Sequence, residues 1–154
     1  MYGFALIFED SELAVDENSP GAVAIEGRIL DGDGEPVVYP DALLEVWRGE
    51  QWARSRTDAD GRYRVVVSKP DAAELPGVGM EAPYLNVSVF ARGLLRAANT
   101  RLYFPDEAEA NADDPVLGLV PAERRHTLVA ERDGGGLRFD IRLQGDDETV
   151  FFES

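Results

Sequence analysis

The sequence contains no cysteine, a single histidine and a single lysine. Without cysteine there are no disulfides, no thiolate metal sites and no cysteine nucleophile. The absence fits a reducing compartment, and a cytoplasmic location is the expectation. With His126 as the sole imidazole, the usual Cys/His zinc sites cannot form, and neither can an iron triad of two histidines and a carboxylate within one chain. A Ser-His-Asp triad would have to use His126, and no Gly-x-Ser-x-Gly elbow is present. P-loop and dinucleotide fingerprints are missing too. His126, beside Arg124 and Arg125, reads as a surface or structural residue.

Long apolar runs are also lacking, and no window approaches the roughly eighteen residues of a membrane-spanning helix. The opening MYGFALIFED has an apolar run, but no basic residue precedes it and acids follow at once, which reads against a secretory signal. Positive charge is scarce: 15 Lys and Arg stand against 30 Asp and Glu, for a net charge of −15. Such a chain is a poor partner for phosphate backbones, so nucleic-acid binding is not expected. The acids read as a solubilising surface, and their abundance alone does not identify a catalytic pair. Every cation but Lys69 is arginine.

What is present is a succession of short strands. At 154 residues the chain suits one domain with a real core. Residues 1–21 read as an N-terminal arm and 22–154 as the folded unit. Val23, Ile25, Gly27 and Ile29 alternate with Glu26 and Arg28, and the strand ends at the turn Asp31-Gly32-Asp33-Gly34. Residues 43–47 make a second strand. In TDADGRYRVVV, residues 58–61 supply a turn, while Tyr63, Val65 and Val67 form an inward face. Asp58, Asp60 and Gly61 do not continue into the spacing of a calcium loop. Residues 71–82 read as a loop containing Pro and Gly.

The centre of the chain is the stretch 84–104, YLNVSVFARGLLRAANTRLYF. Leu85, Val87, Val89 and Ala91 fall on one side of a strand, and Tyr84, Asn86, Ser88, Phe90 and Arg92 on the other. The second set is an odd composition for simple solvent exposure. A turn after Gly93 and a β-rich run over 100–104 complete a hairpin with one polar face aimed at something. DEAEANAD predicts a short helix after this hairpin, and residues 127–131 and 137–144 predict the last strands. The tail ETVFFES is apolar enough to dock on its own core or on another chain. This pattern is an all-β antiparallel sandwich. Arg92 can offer parallel N–H donors to a ligand carboxylate, or it can pair with one of the chain's many acids. Read from its residues, the chain carries no active site of its own.

EGRILDGDGEPV, LLEVW, TDADGRYRV, APYLNVSVFARG, TRLYFPDEAEAN and RFDIRLQGDDETVFF, in this order over residues 23–152, resemble the alpha chains of the protocatechuate 3,4-dioxygenases, a branch of the intradiol ring-cleaving dioxygenases. The resemblance implies a β-sandwich subunit that pairs with a beta chain in a larger hetero-oligomer of aromatic catabolism, in the β-ketoadipate pathway. The partner's Fe(III), held by two Tyr and two His, serves the insertion of O₂ into 3,4-dihydroxybenzoate, giving 3-carboxy-cis,cis-muconate. In iron-bearing members a His-x-His lies on the strand that here reads Tyr84-Leu85-Asn86, so Tyr84 and Asn86 mark a degenerate metal site and this chain is expected to hold no metal. No counterpart of the ligand tyrosines is evident: the region after Trp47 is short, and residues 71–82 lack Tyr. The resemblance also places Arg92 in the partner's substrate pocket, a forked donor for a small aromatic acid, with Gly3 approaching the same pocket. The alternative is a stand-alone binding module of the transthyretin-like or carboxypeptidase-regulatory type, whose repeats GEPV and TDADGRY also resemble. A third is a homo-oligomer with a new ligand in the degenerate site.

Overall fold

The computed structural model describes residues 12–153. In chain order the strands are β1 (Ala22–Leu30), β2 (Ala42–Arg48), β3 (Gln51–Arg56), β4 (Arg62–Ser68), β5 (Ala73–Leu75), β6 (Gly79–Glu81), β7 (Tyr84–Ala91), β8 (Ala98–Tyr103), β9 (Glu131–Asp133), β10 (Gly136–Arg138) and β11 (Ile141–Arg142). One α-helix, α1 (Ala108–Asp113), and two 3₁₀ segments, Leu117–Leu119 and Ala122–Leu128, lie between β8 and β9.

Two sheets face each other. The first is ordered β11-β1-β10-β9, with β4 also paired to β1; the second is ordered β3-β2-β7-β8. The pairings are antiparallel except that β10 and β11 run parallel to β1. The alternation in each strand decides its inward face: Ile25, Ile29, Val65 and Val67 of the first sheet meet Leu44, Val46, Leu85, Val87, Val89 and Leu102 of the second. Each such fully buried aliphatic side chain contributes about 1.5–3 kcal/mol of transfer free energy.

Two departures from the sequence reading have clear causes. The alternation over residues 137–144 predicts one unbroken strand, but β10 and β11 are separated at Phe139 and Asp140. There the Phe139 carbonyl accepts a hydrogen bond from the Tyr63 hydroxyl, and the Asp140 carboxylate accepts one from Arg28 N–H at 2.9 Å. Gly27 allows this approach, because a Cβ at that position would lie 2.0 Å from the Phe139 carbonyl oxygen. Residues 127–131, expected as a strand, instead finish the second 3₁₀ segment and lead into β9. Arg125 stabilises that path by donating from Nε to the Val120 carbonyl at 2.8 Å.

β3 went unread because its only announcement is the two-residue turn Gly49-Glu50. Gly49 takes φ +60° there, which lets Arg48 pair with Gln51 and Trp47 with Trp52. The loop over 71–82 contains the small hairpin β5–β6. The central hairpin and the helix after it form as expected. The apolar tail docks on its own chain: Phe152 N–H donates to the Asn99 carbonyl at 2.7 Å, and Val150 and Phe152 join a second apolar cluster with Tyr84, Tyr103, Leu117 and Leu128. At the other end, in the segment read as an arm, Leu13 bridges to Val66 of β4.

Candidate functional site

The outer face of the second sheet carries the residues singled out above. Registration of β7 with β2 and β8 sets Asn86 beside Trp47 and Arg101, Ser88 beside Glu45 and Asn99, and Phe90 beside Leu43. This face is closed at one end and open at the other.

At the closed end, the 3₁₀ segments and the tail cover Tyr84, which is 5% exposed. Two guanidiniums lie over its ring, Arg48 at 4.2 Å and Arg101 at 3.9 Å from the centroid. Arg101 Nη1 donates to Glu81 Oε2 at 2.7 Å and to the Tyr103 hydroxyl at 3.3 Å. That hydroxyl in turn donates to Asp114 Oδ1 at 3.1 Å. Asp114 also accepts the backbone N–H groups of Ala82, Val116 and Leu117, so this buried carboxylate is fully partnered. Burial pushes the Tyr103 phenol well above its ordinary range, the Arg101 hydrogen bond opposes this, and the negative Asp114 adds to it. Burial disfavours the charge on Arg101, but its hydrogen bonds to Glu81 and Tyr103 hold it above the ordinary arginine value.

At the open end, β7 runs out through Phe90 to Arg92, whose side chain is 83% exposed and lies 3.6 Å from the Asp41 carboxylate. A shallow groove of about 350 Å³, lined by residues 40–43 and 90–92, runs beneath it. Leu94 and Leu95 stand exposed on the turn beyond.

The chain is 44% identical to the protocatechuate 3,4-dioxygenase alpha chain of Burkholderia cepacia, over 85% of this chain and 76% of that protein. It is 40% identical to the alpha chain of Pseudomonas putida, over 88% of this chain and 78% of that protein. It belongs to the protocatechuate 3,4-dioxygenase alpha-chain family. The same likeness extends, at 28% identity, to the beta chain of Burkholderia cepacia over 82% of this chain and 66% of that protein. No family model matches the chain. The fold is shared with the dioxygenase domain of a dioxygenase–carbohydrate-binding fusion from Streptomyces sp. SirexAA-E, at 22% identity and a TM-score of 0.62 over 87% of both chains. It is also shared with hydroxyquinol 1,2-dioxygenase of Pseudomonas putida DLL-E4, at 21% identity and a TM-score of 0.64 over 86% of this chain and 59% of that one.

As a member of the alpha-chain family, the protein is a subunit type of an intradiol dioxygenase, and the stand-alone-module alternative is set aside by the identity over most of its length. The surroundings of Tyr84 and Asn86 do not fit a ferric ion. Tyr84 and Asn86 are joined there by the cations Arg48 and Arg101, which would repel a trivalent metal. Among the described residues no group of three or more His, Cys, Asp or Glu could hold a metal.

The structure thus keeps Tyr84 and Asn86 on the outer face of β7, with Tyr84 beneath a lid, whereas Arg92 follows the end of the strand and stands in solvent. Gly3 lies outside the described residues. His126 is exposed on the second 3₁₀ segment. Sequence reasoning missed Arg48, Glu81, Arg101 and Asp114. The period-two pattern of β8 could have placed Arg101 on the same face as Asn99 and Tyr103, and Asp114 could have been read as a local cap for the N–H groups of Val116 and Leu117, whereas its bonds to Ala82 and Tyr103 carry no local signal.

Proposed function

We propose that this chain is the non-catalytic alpha subunit of a protocatechuate 3,4-dioxygenase. Its partner is a beta chain of the same fold, which holds Fe(III) and cleaves 3,4-dihydroxybenzoate with O₂ to 3-carboxy-cis,cis-muconate. The two assemble into a higher-order hetero-oligomer that acts in the cytoplasm. In that assembly Arg92 lines the partner's pocket and offers its fork to the substrate carboxylate, and Gly3 reaches the same pocket. Tyr84 and Asn86 are what remains of a metal site in this chain. One observation carries the reading: in a chain of the alpha family, two guanidiniums lie over the ring of Tyr84, which the resemblance marks as a position of a ligand histidine in iron-bearing members. Among the described residues no helix is long and apolar enough to cross a membrane.

The test is expression of the chain alone and together with a beta chain from the same source, with assays for bound iron and for protocatechuate-dependent oxygen uptake. Neither is expected from the chain alone, and both from the pair. Iron-dependent uptake by the solitary chain would overturn the reading, as would a stable homo-oligomer that ignores the beta chain.

A further inference from the structure

Arg92 and Asp41 are tied together twice. Arg92 N–H donates to the Asp41 carbonyl at 2.8 Å, and Arg92 Nη1 lies 3.6 Å from Asp41 Oδ1. The two side chains differ in length and exposure, that of Asp41 being short and 38% exposed, and the backbone beneath Asp41 is tied down. Asp41 sits on a braced ledge: its own N–H donates to the Val38 carbonyl at 2.9 Å, and the Tyr39 N–H donates to the Asp58 carbonyl at 3.0 Å. The next residue, Ala42, is buried and pairs with Ala91 at the end of β7. Arg92, by contrast, is a long side chain standing 83% in solvent. A side chain of this kind samples many rotamers, and ordering it for a ligand carries an entropic cost.

A short carboxylate carried on a hydrogen-bonded stretch of backbone beside such a guanidinium reduces that cost. The Asp41 contact runs through Nη1, one corner of a planar fork with five donors, and so leaves donors for a second carboxylate. We infer that Asp41 is a positioning residue for Arg92: it holds the guanidinium over the groove between residues 40–43 and 90–92, already aimed for the carboxylate of an aromatic acid in the partner's pocket. This inference rests on the reading of Arg92 given above. It assigns Asp41 no contact with substrate; its effect passes entirely through the arginine.

The test uses the complex with the beta chain and four forms of this chain: unaltered, Asp41→Ala, Arg92→Ala and the double variant. Asp41→Ala is expected to raise KM for 3,4-dihydroxybenzoate about fivefold, the range of an exposed ion pair. The values of kcat and iron content should stay unchanged. The inhibition constant of catechol, which lacks the carboxylate, should not move, and Asp41→Ala should add nothing once Arg92 is alanine. Should the alanine variant fail to assemble, Asp41→Asn preserves the volume and gives the same readout. An unchanged or lowered KM in the Asp41 variant overturns the inference, as does an equal rise in the Arg92→Ala background. If Arg92→Ala raises KM and Asp41→Ala does not, only the positioning role falls. If Arg92→Ala leaves KM unaltered, the reading of Arg92 falls and the role of Asp41 with it.

Discussion

The Arg101 guanidinium lies 3.9 Å from the centroid of the Tyr84 ring while its Nη1 reaches the Glu81 carboxylate at 2.7 Å. A single cation therefore neutralises a buried acid and covers an aromatic face of β7.

Removing this cation should be costly. Arg101→Ala leaves Glu81, only 5% exposed, without its partner, and breaking a buried pair in this way costs about 3 kcal/mol. A lowered urea midpoint is expected, with much of the loss recovered when Glu81→Gln accompanies Arg101→Met. An unchanged midpoint in Arg101→Ala would show that water satisfies Glu81.

The alkaline limb of stability should belong to two tyrosines. Burial, then the negative Asp140, pushes the Tyr63 phenol up, and burial above all does the same for Tyr103. With folded values above the unfolded one, their contribution is complete below about pH 10 and is lost as pH rises beyond it. Replacing both with phenylalanine is expected to flatten the fall in unfolding free energy between pH 9 and 11 (roughly the span of an unfolded phenol's titration), even though the variant is less stable at neutral pH. A fall as steep as in the unaltered protein would assign the limb to other groups.

Asp58 acts at the opposite extreme. Backbone N–H groups of Arg62 and Asp60 donate to its carboxylate at 3.0 and 2.8 Å and lower its pKa. A folded value below the unfolded one gives stability that is present above about pH 4 and is lost as pH falls through the folded value. Asp58→Asn should therefore be less sensitive to acid than the unaltered chain, as measured by chemical denaturation at a series of pH values. Identical slopes for the two proteins would count against this linkage.

Gly27→Ala should destabilise by about 3 kcal/mol or prevent folding, because the new Cβ would meet the Phe139 carbonyl oxygen at 2.0 Å. Gly135→Ala, with nothing within 4 Å of its added carbon, is the control. Thermal melts of the pair should differ clearly; equal midpoints would mean that β1 and the β10–β11 junction can move apart.

Arg92→Ala should leave the melting temperature of the chain unaltered, since the side chain is 83% exposed and surface pairs contribute little. In the complex it is expected to raise KM for 3,4-dihydroxybenzoate about tenfold, the loss of a charge-assisted hydrogen bond, with iron retained. A melting temperature that drops with KM unchanged would make Arg92 a structural residue.

The sequence by itself determined the sandwich, the central hairpin and the face shared by Tyr84, Asn86, Ser88 and Phe90, because the two-residue period and the turn residues act over a few neighbours. It also determined that one imidazole cannot supply two ligands. Three things waited for the tertiary structure: the break at Phe139, the burial of Tyr84 under the 3₁₀ segments and tail, and the pairing of Arg101 with Glu81. Each depends on residues brought together from distant parts of the chain. Tyr63 meets Phe139, Leu117 and Phe152 share a cluster with Tyr84, and Ala82 and Tyr103 converge on Asp114. A local pattern says which side of a strand a residue occupies. Only the packing of the other elements decides whether that side is covered or left open to a partner.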